Sequence, residues 1–240
     1  MRDPGREVVA IVLSVSAYAD DDRILKVLSP TEGKVGVFQR LGRRKPAGLD
    51  VCVRARLRLR HGREGGLNTL VDATVEDPRI HLRSGYGRLA LAQFGCELVG
   101  ALAREAHAEP KQFGLLDTWL VLLDALRGDP DVSLAAALEL KALTFAGVGP
   151  ALDRCGACGG AVEETMHLEP AGGGAVHPRC GGGLVVSAPV LAELERLRRT
   201  PLRELVDVEV DPVVVGVAAD LVRAQLGHDL ASRQLFVGLC

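Results

Sequence analysis

Four side chains able to bind a metal ion occur as two short pairs, Cys155-x2-Cys158 and, after 18 intervening residues, His177-x2-Cys180. Two such knuckles at this separation are a zinc-site spacing. A tight turn brings ligands three positions apart onto one ion, and a second turn completes a tetrahedron. Gly156, Gly159, Gly160 and Gly181 to Gly183 supply the backbone freedom these turns require. Three thiolates and one imidazole close the coordination shell and leave no position for water. One structural Zn2+ is therefore expected, not a catalytic one. His177 fits the spacing; His167 is the alternative fourth ligand. The competing reading is unligated cysteines beside a glycine-rich loop, and a zinc ribbon alone does not specify a function.

The second constellation is cationic. From Lys34 to Arg63 there are ten basic residues and one acid, Asp50. Arg43, Arg44 and Lys45 lie in a loop between Gly42 and Gly48, with Lys34 and Arg40 just before it. Within Val51–Arg60 the residues alternate, so Arg54, Arg56, Arg58 and Arg60 share one strand face with Cys52. Successive arginines would stand about 6.6–7 Å apart, close to the spacing of phosphates along an extended single strand. The guanidinium group suits bidentate phosphate contact. Lys34, Arg40, Arg43, Arg44, Lys45, Arg54, Arg56, Arg58 and Arg60 are thus the expected DNA-binding residues. Neutralising Arg54, Arg56 and Arg58 together should weaken binding to all sequences alike. The competing reading is a solubilising face that blocks edge pairing; such faces mix signs, whereas here one sign dominates. Aromatics are scarce, with Phe38 the sole ring between Tyr18 and Tyr86. Binding driven by the backbone and sensitive to salt is expected more than base stacking.

No catalytic pattern accompanies these clusters. The sequence has no Gly-x4-Gly-Lys-Ser/Thr phosphate loop and no Gly-x-Ser-x-Gly elbow. Asp20-Asp21-Asp22 falls where a hairpin turn is expected, and Gly172 to Gly174 reads as a flexible turn. His61, His81, His107 and His228 are scattered. A non-enzymatic protein is expected.

Five strand-like segments, roughly 7–17, 22–29, 34–40, 51–60 and 67–76, are separated by turn-forming residues. Five strands in about 75 residues fit a small closed barrel of OB or SH3-like type. Residues 78–87 read as a linker. The apolar period then becomes helical over 88–107, 111–127 and 133–146, the last with Ser133 as N-cap. The glycine-rich cysteine segment 151–186 follows, and then helices at 188–199 and 212–226. The last is bounded by Asp211, Pro212 and Gly227. The expected class is α+β in two parts. Residues 1–79 form a five-stranded OB-fold-like β-barrel, and residues 80–240 an all-helical domain with an inserted zinc-binding knuckle.

The charge distribution agrees with two modules. Residues 1–80 hold 15 Lys/Arg against 11 Asp/Glu, and residues 81–240 hold 14 against 20. Hydrophobic residues at 48% and charged residues at 25% describe a folding chain, not a disordered one. Val8–Ala19 imitates a signal peptide but is rich in β-branched residues and reads better as a buried strand. No run reaches the roughly 20 apolar residues of a membrane span. Clustering of Cys155, Cys158 and Cys180, with Cys52, Cys96 and Cys240 scattered, favours metal over disulfides and a reducing, cytoplasmic setting.

The order of parts resembles the bacterial RecO family over nearly the whole chain. At the front the resemblance rests on Val12-Leu13-Ser14, Tyr18, Asp21, Arg23 to Pro30, Glu32-Gly33-Lys34 and Gly42-Arg43-Arg44. Its most specific stretch is Leu138 to Leu143, Gly147 to Pro150 and Leu152-Asp153-Arg154-Cys155-Gly156-Ala157-Cys158-Gly159. Leu230 to Phe236 resembles the closing segment. The resemblance implies an N-terminal OB-fold, a helical domain with zinc in many members, and no enzymatic activity. It implies binding to single- and double-stranded DNA and annealing of complementary strands. The implied partners are RecR, the C-terminal tail of single-strand binding protein and, indirectly, RecA, with a nucleoid-associated, cytoplasmic location and no membrane contact. The family's second knuckle is usually Cys-x2-Cys; here His177 takes the first position. The competing function is a zinc-containing RNA-binding or regulatory accessory protein; a metal-dependent nuclease is disfavoured by the closed ligand shell.

Overall fold

The computed structural model describes residues 5–18, 22–40, 48–62, 66–128, 130–131, 133–169 and 173–237. Contacts divide the chain into two compact units, Met1–Arg127 and Gly128–Cys240.

The first unit begins with β1 (Arg6–Ala17), β2 (Arg23–Ser29), β3 (Gly33–Gln39), β4 (Arg54–Arg60) and β5 (Asn68–Asp77). They close into a barrel in the order β1-β2-β3-β5-β4. All neighbours are antiparallel except β3 and β5, which run parallel. This is the five-stranded barrel expected from the sequence, in the OB arrangement. Alternate residues fill it: Val8, Ala10 and Val12 from β1, Leu25 and Val27 from β2, Val37 from β3, Ala55, Leu57 and Leu59 from β4. An irregularity between Val12 and Ser14 bends β1 so that it pairs with both β2 and β4.

The outer face is partly covered. Ile11 and Leu28 are cross-strand partners on the side opposite the barrel core, yet both are fully buried. There α1 (Tyr86–Leu102) packs on β1 and α2 (Pro110–Ala125) on β2. The indole N–H of Trp119 in α2 donates to Leu91 O in α1 at 3.0 Å, so the two helices share a buried hydrogen bond as well as an apolar seam.

Three local expectations change. The strand predicted over 51–60 starts at Arg54, because Val51 and Cys52 form a turn with Cys52 at φ 72°. The Cys52 N–H donates to Val12 O at 2.9 Å and its side chain is buried; it does not share the arginine face. The segment read as a linker contains a 3-10 helix, Ile80–Ser84, entered through a buried Arg79. Arg79 Nη1 donates to Cys52 O at 2.8 Å, and its guanidinium also pairs with Asp77 and Asp117. The helix predicted over 88–107 stops at Leu102.

The second unit contains α3 (Leu134–Phe145), β6 (Thr165–Glu169), β7 (Gly174–Val176), β8 (Leu184–Ser187), α4 (Ala188–Arg199), α5 (Pro212–Leu226) and α6 (Gln234–Val237). The inserted segment is more than a loop: its strands form a sheet in the order β7-β6-β8. Ser133 does not cap α3; it is itself helical, and its hydroxyl donates to Val208 O at 3.3 Å. Asp211 does cap α5, accepting from Val213 N–H at 2.8 Å, and Gly227 closes that helix at φ 77°. Among the described residues no helix is long and apolar enough to cross a membrane.

Candidate functional site

The two knuckles converge. Ligand atoms of Cys155, Cys158, His177 and Cys180 all lie within 4.8 Å of one another. In the first knuckle Gly159 N–H donates to Cys155 O, and Cys155 N–H to Gly160 O, both at 2.8 Å. Gly159 occupies φ +73°, where a side chain would be strained, and a Cβ on Gly160 would crowd His177 Cε1 at 3.1 Å, so both positions favour glycine. The second knuckle follows β7, with Cys180 N–H donating to His177 O at 2.8 Å.

His177 Nδ1 is 3.4 Å from Cys158 Sγ and 3.8 Å from Cys180 Sγ. A tetrahedral ion with metal–sulfur bonds of about 2.3 Å and metal–nitrogen bonds of about 2.0 Å requires sulfur–nitrogen edges of about 3.5 Å. The ring's other nitrogen, Nε2, is 2.8 Å from Ala161 O and 3.4 Å from a Glu163 carboxylate oxygen. A carbonyl only accepts, so Nε2 carries the proton and Nδ1 keeps its lone pair for a metal. His167 is engaged elsewhere, its Nδ1 3.0 Å from Gly181 O. It is not among the four converging residues. Glu163 and Ala161, which orient His177, carried no sequence signal, because nothing in their spacing marks an outer partner.

The thiols conflict in the absence of a cation. Burial opposes ionisation of Cys155, but N–H groups of Cys158, His177 and Ala157 outweigh it and bring this thiol down to about 6. Burial, then hydrogen bonding and charge from Cys158 and Cys155, push Cys180 up to about 11. A bound cation would allow both to be thiolates. The cluster thus fits a metal ion by donor type, distance and outer hydrogen bonding.

The basic segment is less bare than its sequence suggests. Arg54 Nε and Nη1 donate to Glu76 at 3.2 Å and Asp117 at 2.8 Å, and its guanidinium lies 5.8 Å from the Phe113 ring centre. Arg56 donates to Glu76 at 2.7 Å and Arg58 to Asp72 at 2.9 Å. The arginine row on β4 is therefore interleaved with acids from β5 and α2. Lys34 Nζ donates to Gly100 O at 3.2 Å, and Arg40, mostly exposed, stands 3.9 Å from Asp22. Arg43, Arg44 and Lys45 lie outside the described residues. Beside Lys34, the outer face of β2 and β3 holds a groove of about 860 Å³, lined among others by Ile24, Lys26, Gly36, His61 and Leu67.

Two family comparisons meet at the end of the barrel, ahead of the Arg127 boundary between the compact units. "Recombination protein O N terminal" matches residues 6–79 and "Recombination protein O C terminal" matches residues 83–235. The chain belongs to the recombination protein O (RecO) family. It is similar to proteins named DNA repair protein RecO. The one from Myxococcus xanthus is 33% identical over 236 residues, covering 93% of this chain and 92% of the relative. The one from Desulforudis audaxviator is 31% identical over 229 residues, covering 92% and 90%. The one from Symbiobacterium thermophilum is 34% identical over 202 residues, covering 79% and 78%. The N-terminal RecO match coincides with the barrel. The C-terminal match takes in α1 and α2, which pack with the barrel in the first unit, together with most of the second unit.

Proposed function

We propose that the chain is a non-enzymatic recombination mediator acting in DNA repair. It binds single- and double-stranded DNA, anneals complementary single strands and, with RecR, helps load RecA onto strands coated by single-strand binding protein, whose C-terminal tail it engages. The observation that carries this reading is RecO membership over both halves of a chain whose first unit contains a closed OB-type barrel with a basic segment.

In this reading residues 1–79 are the DNA-binding domain and residues 80–240 the helical domain, with one structural Zn2+ on Cys155, Cys158, His177 and Cys180. Four protein ligands fill a tetrahedron, which suits support of the β6–β8 insertion and not catalysis. Lys34, Arg40, Arg43, Arg44, Lys45 and Arg60 contact phosphates. Arg56 and Arg58 do so by exchanging exposed carboxylate partners for phosphate, a small loss because exposed pairs are weak. Arg54, held by two acids and an aromatic ring, contributes mainly to the fold. The protein works in the cytoplasm at the nucleoid.

The test is annealing of two complementary oligonucleotides by the pure protein, without nucleotide, across a salt series. Annealing that fades as salt rises is expected. No annealing and no DNA binding at low salt, with tight RNA binding instead, would replace this reading with the RNA-binding accessory protein.

A further inference from the structure

The outer face of β2 and β3 carries two features that the arginine row on β4 lacks, namely solvent-facing rings and an open groove. Cross-strand register places Ser16, Ile24 and Phe38 side by side on this face. One step further along, Tyr18 N–H donates to Asp22 O at 2.8 Å, which fixes Tyr18 on the same side of the hairpin. The rings of Tyr18 and Phe38 meet edge to face, with centres 5.8 Å apart and planes at 87°. Tyr18 is 55% exposed and Phe38 half-buried. A chain with one Trp, two Tyr and five Phe thus places two of its rings on one open sheet face.

The opposite direction along the face leads into the groove. Lys26 is the cross-strand partner of Gly36. A Cβ at Gly36 would come within 2.6 Å of Leu67 Cδ2, so glycine here lets the segment after β4 lie close over β3. Asn68 Nδ2 ties the two together by donating to Gly36 O at 3.2 Å. Lys34 follows at the far end, and Arg40 stands beyond Phe38. From Lys34 to Arg40 the face runs about 20 Å, with rings and Ile24 in the middle and cations along its length.

We propose that Tyr18 and Phe38 form a base-stacking subsite for unpaired bases of single-stranded DNA, with Lys26, Lys34 and Arg40 on the phosphates. This deepens the DNA-binding reading above and rests on it. Flat apolar rings flanked by cations match a strand that presents π-faces between anionic linkages. In a duplex the faces of the bases are occupied by their neighbours, so only an unpaired strand can use the rings. The subsite therefore supplies preference for single strands, which phosphate contacts alone do not.

The experiment compares binding of the full-length protein to a 20-nucleotide oligo-dT and to an abasic strand of equal length and charge, across a salt series. The expected result is tighter binding to oligo-dT by roughly 5- to 150-fold per stacked base. That preference should shrink severalfold in Tyr18→Ala and Phe38→Ala, persist in Tyr18→Phe, and leave affinity for the abasic strand unchanged. Equal, salt-sensitive binding of both strands by the unaltered protein would overturn the stacking subsite and leave DNA binding standing. Binding of neither strand at low salt would overturn the DNA-binding reading itself. A preference for oligo-dT retained in full by folded Tyr18→Ala and Phe38→Ala would likewise overturn the assignment to these rings.

Discussion

At the scale of single residues, the side chains that matter most to the fold are those whose role depends on a distant partner. Arg79 looks like an ordinary surface cation between β5 and α1. In the structure it is 1% exposed and joins Asp77, Asp117 and the carbonyl of Cys52. Its Arg79→Ala variant should lose about 1–3 kcal/mol of stability, because the buried Cys52 carbonyl loses its donor while Asp77 and Asp117 remain part-exposed; urea unfolding measures this. Glu139 is similarly hidden within α3, fully buried and paired with Arg233. Burial raises its carboxyl from 4.5 to about 7, against the opposing pull of Arg233. Between these values the folded form holds a proton that the unfolded chain has released, so stability falls as pH rises through this window. Glu139 itself should contribute about 1 kcal/mol more to stability at pH 6 than at pH 7.5. This is read as the change with pH in the stability difference between the unaltered protein and Glu139→Gln, in which the proton uptake of the metal ligands cancels. Neither role was readable from sequence, since Glu139 and Arg233 are 94 positions apart. The pairing of His177 with Cys180, by contrast, was readable from spacing, with His167 as the alternative, because the two residues are close by in sequence.

At the scale of elements, local chemistry and register divide the outcome. The knuckles were visible because the closely spaced Cys and His pairs and the glycines of their turns are written in the sequence. The sheet β6–β8 around them was not, because its strands are only three to five residues long and lie in glycine-rich surroundings with no clear period of two. Metal should hold this element together. The protein should contain one zinc per chain by elemental analysis, lost in Cys158→Ser and kept in His167→Ala and His177→Cys. At a thousandfold excess over its dissociation constant the ion should add about 4 kcal/mol, which a chelator would remove from the melting profile. The alternation of β4 was likewise legible, but the acids that answer its arginines come from β5 and α2. Arg56→Ala with Arg58→Ala should lower the salt slope of single-strand binding by at most about 1.4, near 0.7 per lost phosphate contact. Arg54→Ala should change thermal stability more than affinity.

At the scale of the whole molecule, the compact units and the sequence-based division separate at different points. The composition and period change near residue 80, yet contacts place α1 and α2 with the barrel up to Arg127. The physical reason is the outward-facing pair Ile11 and Leu28, which need cover. A fragment of residues 1–127 should therefore melt cooperatively, while residues 1–79 should expose that patch and bind a hydrophobic dye. By itself the sequence determined what is carried by short-range chemistry and simple periods: the barrel strands, the major helices, the two closely spaced Cys/His pairs and the RecO resemblance. Only the tertiary structure decided which carboxylates face the arginines, which nitrogen of His177 is left for a metal, and that Tyr18 and Phe38 meet on one open face. These outcomes depend on strand register and helix packing, through which residues far apart in the chain become neighbours.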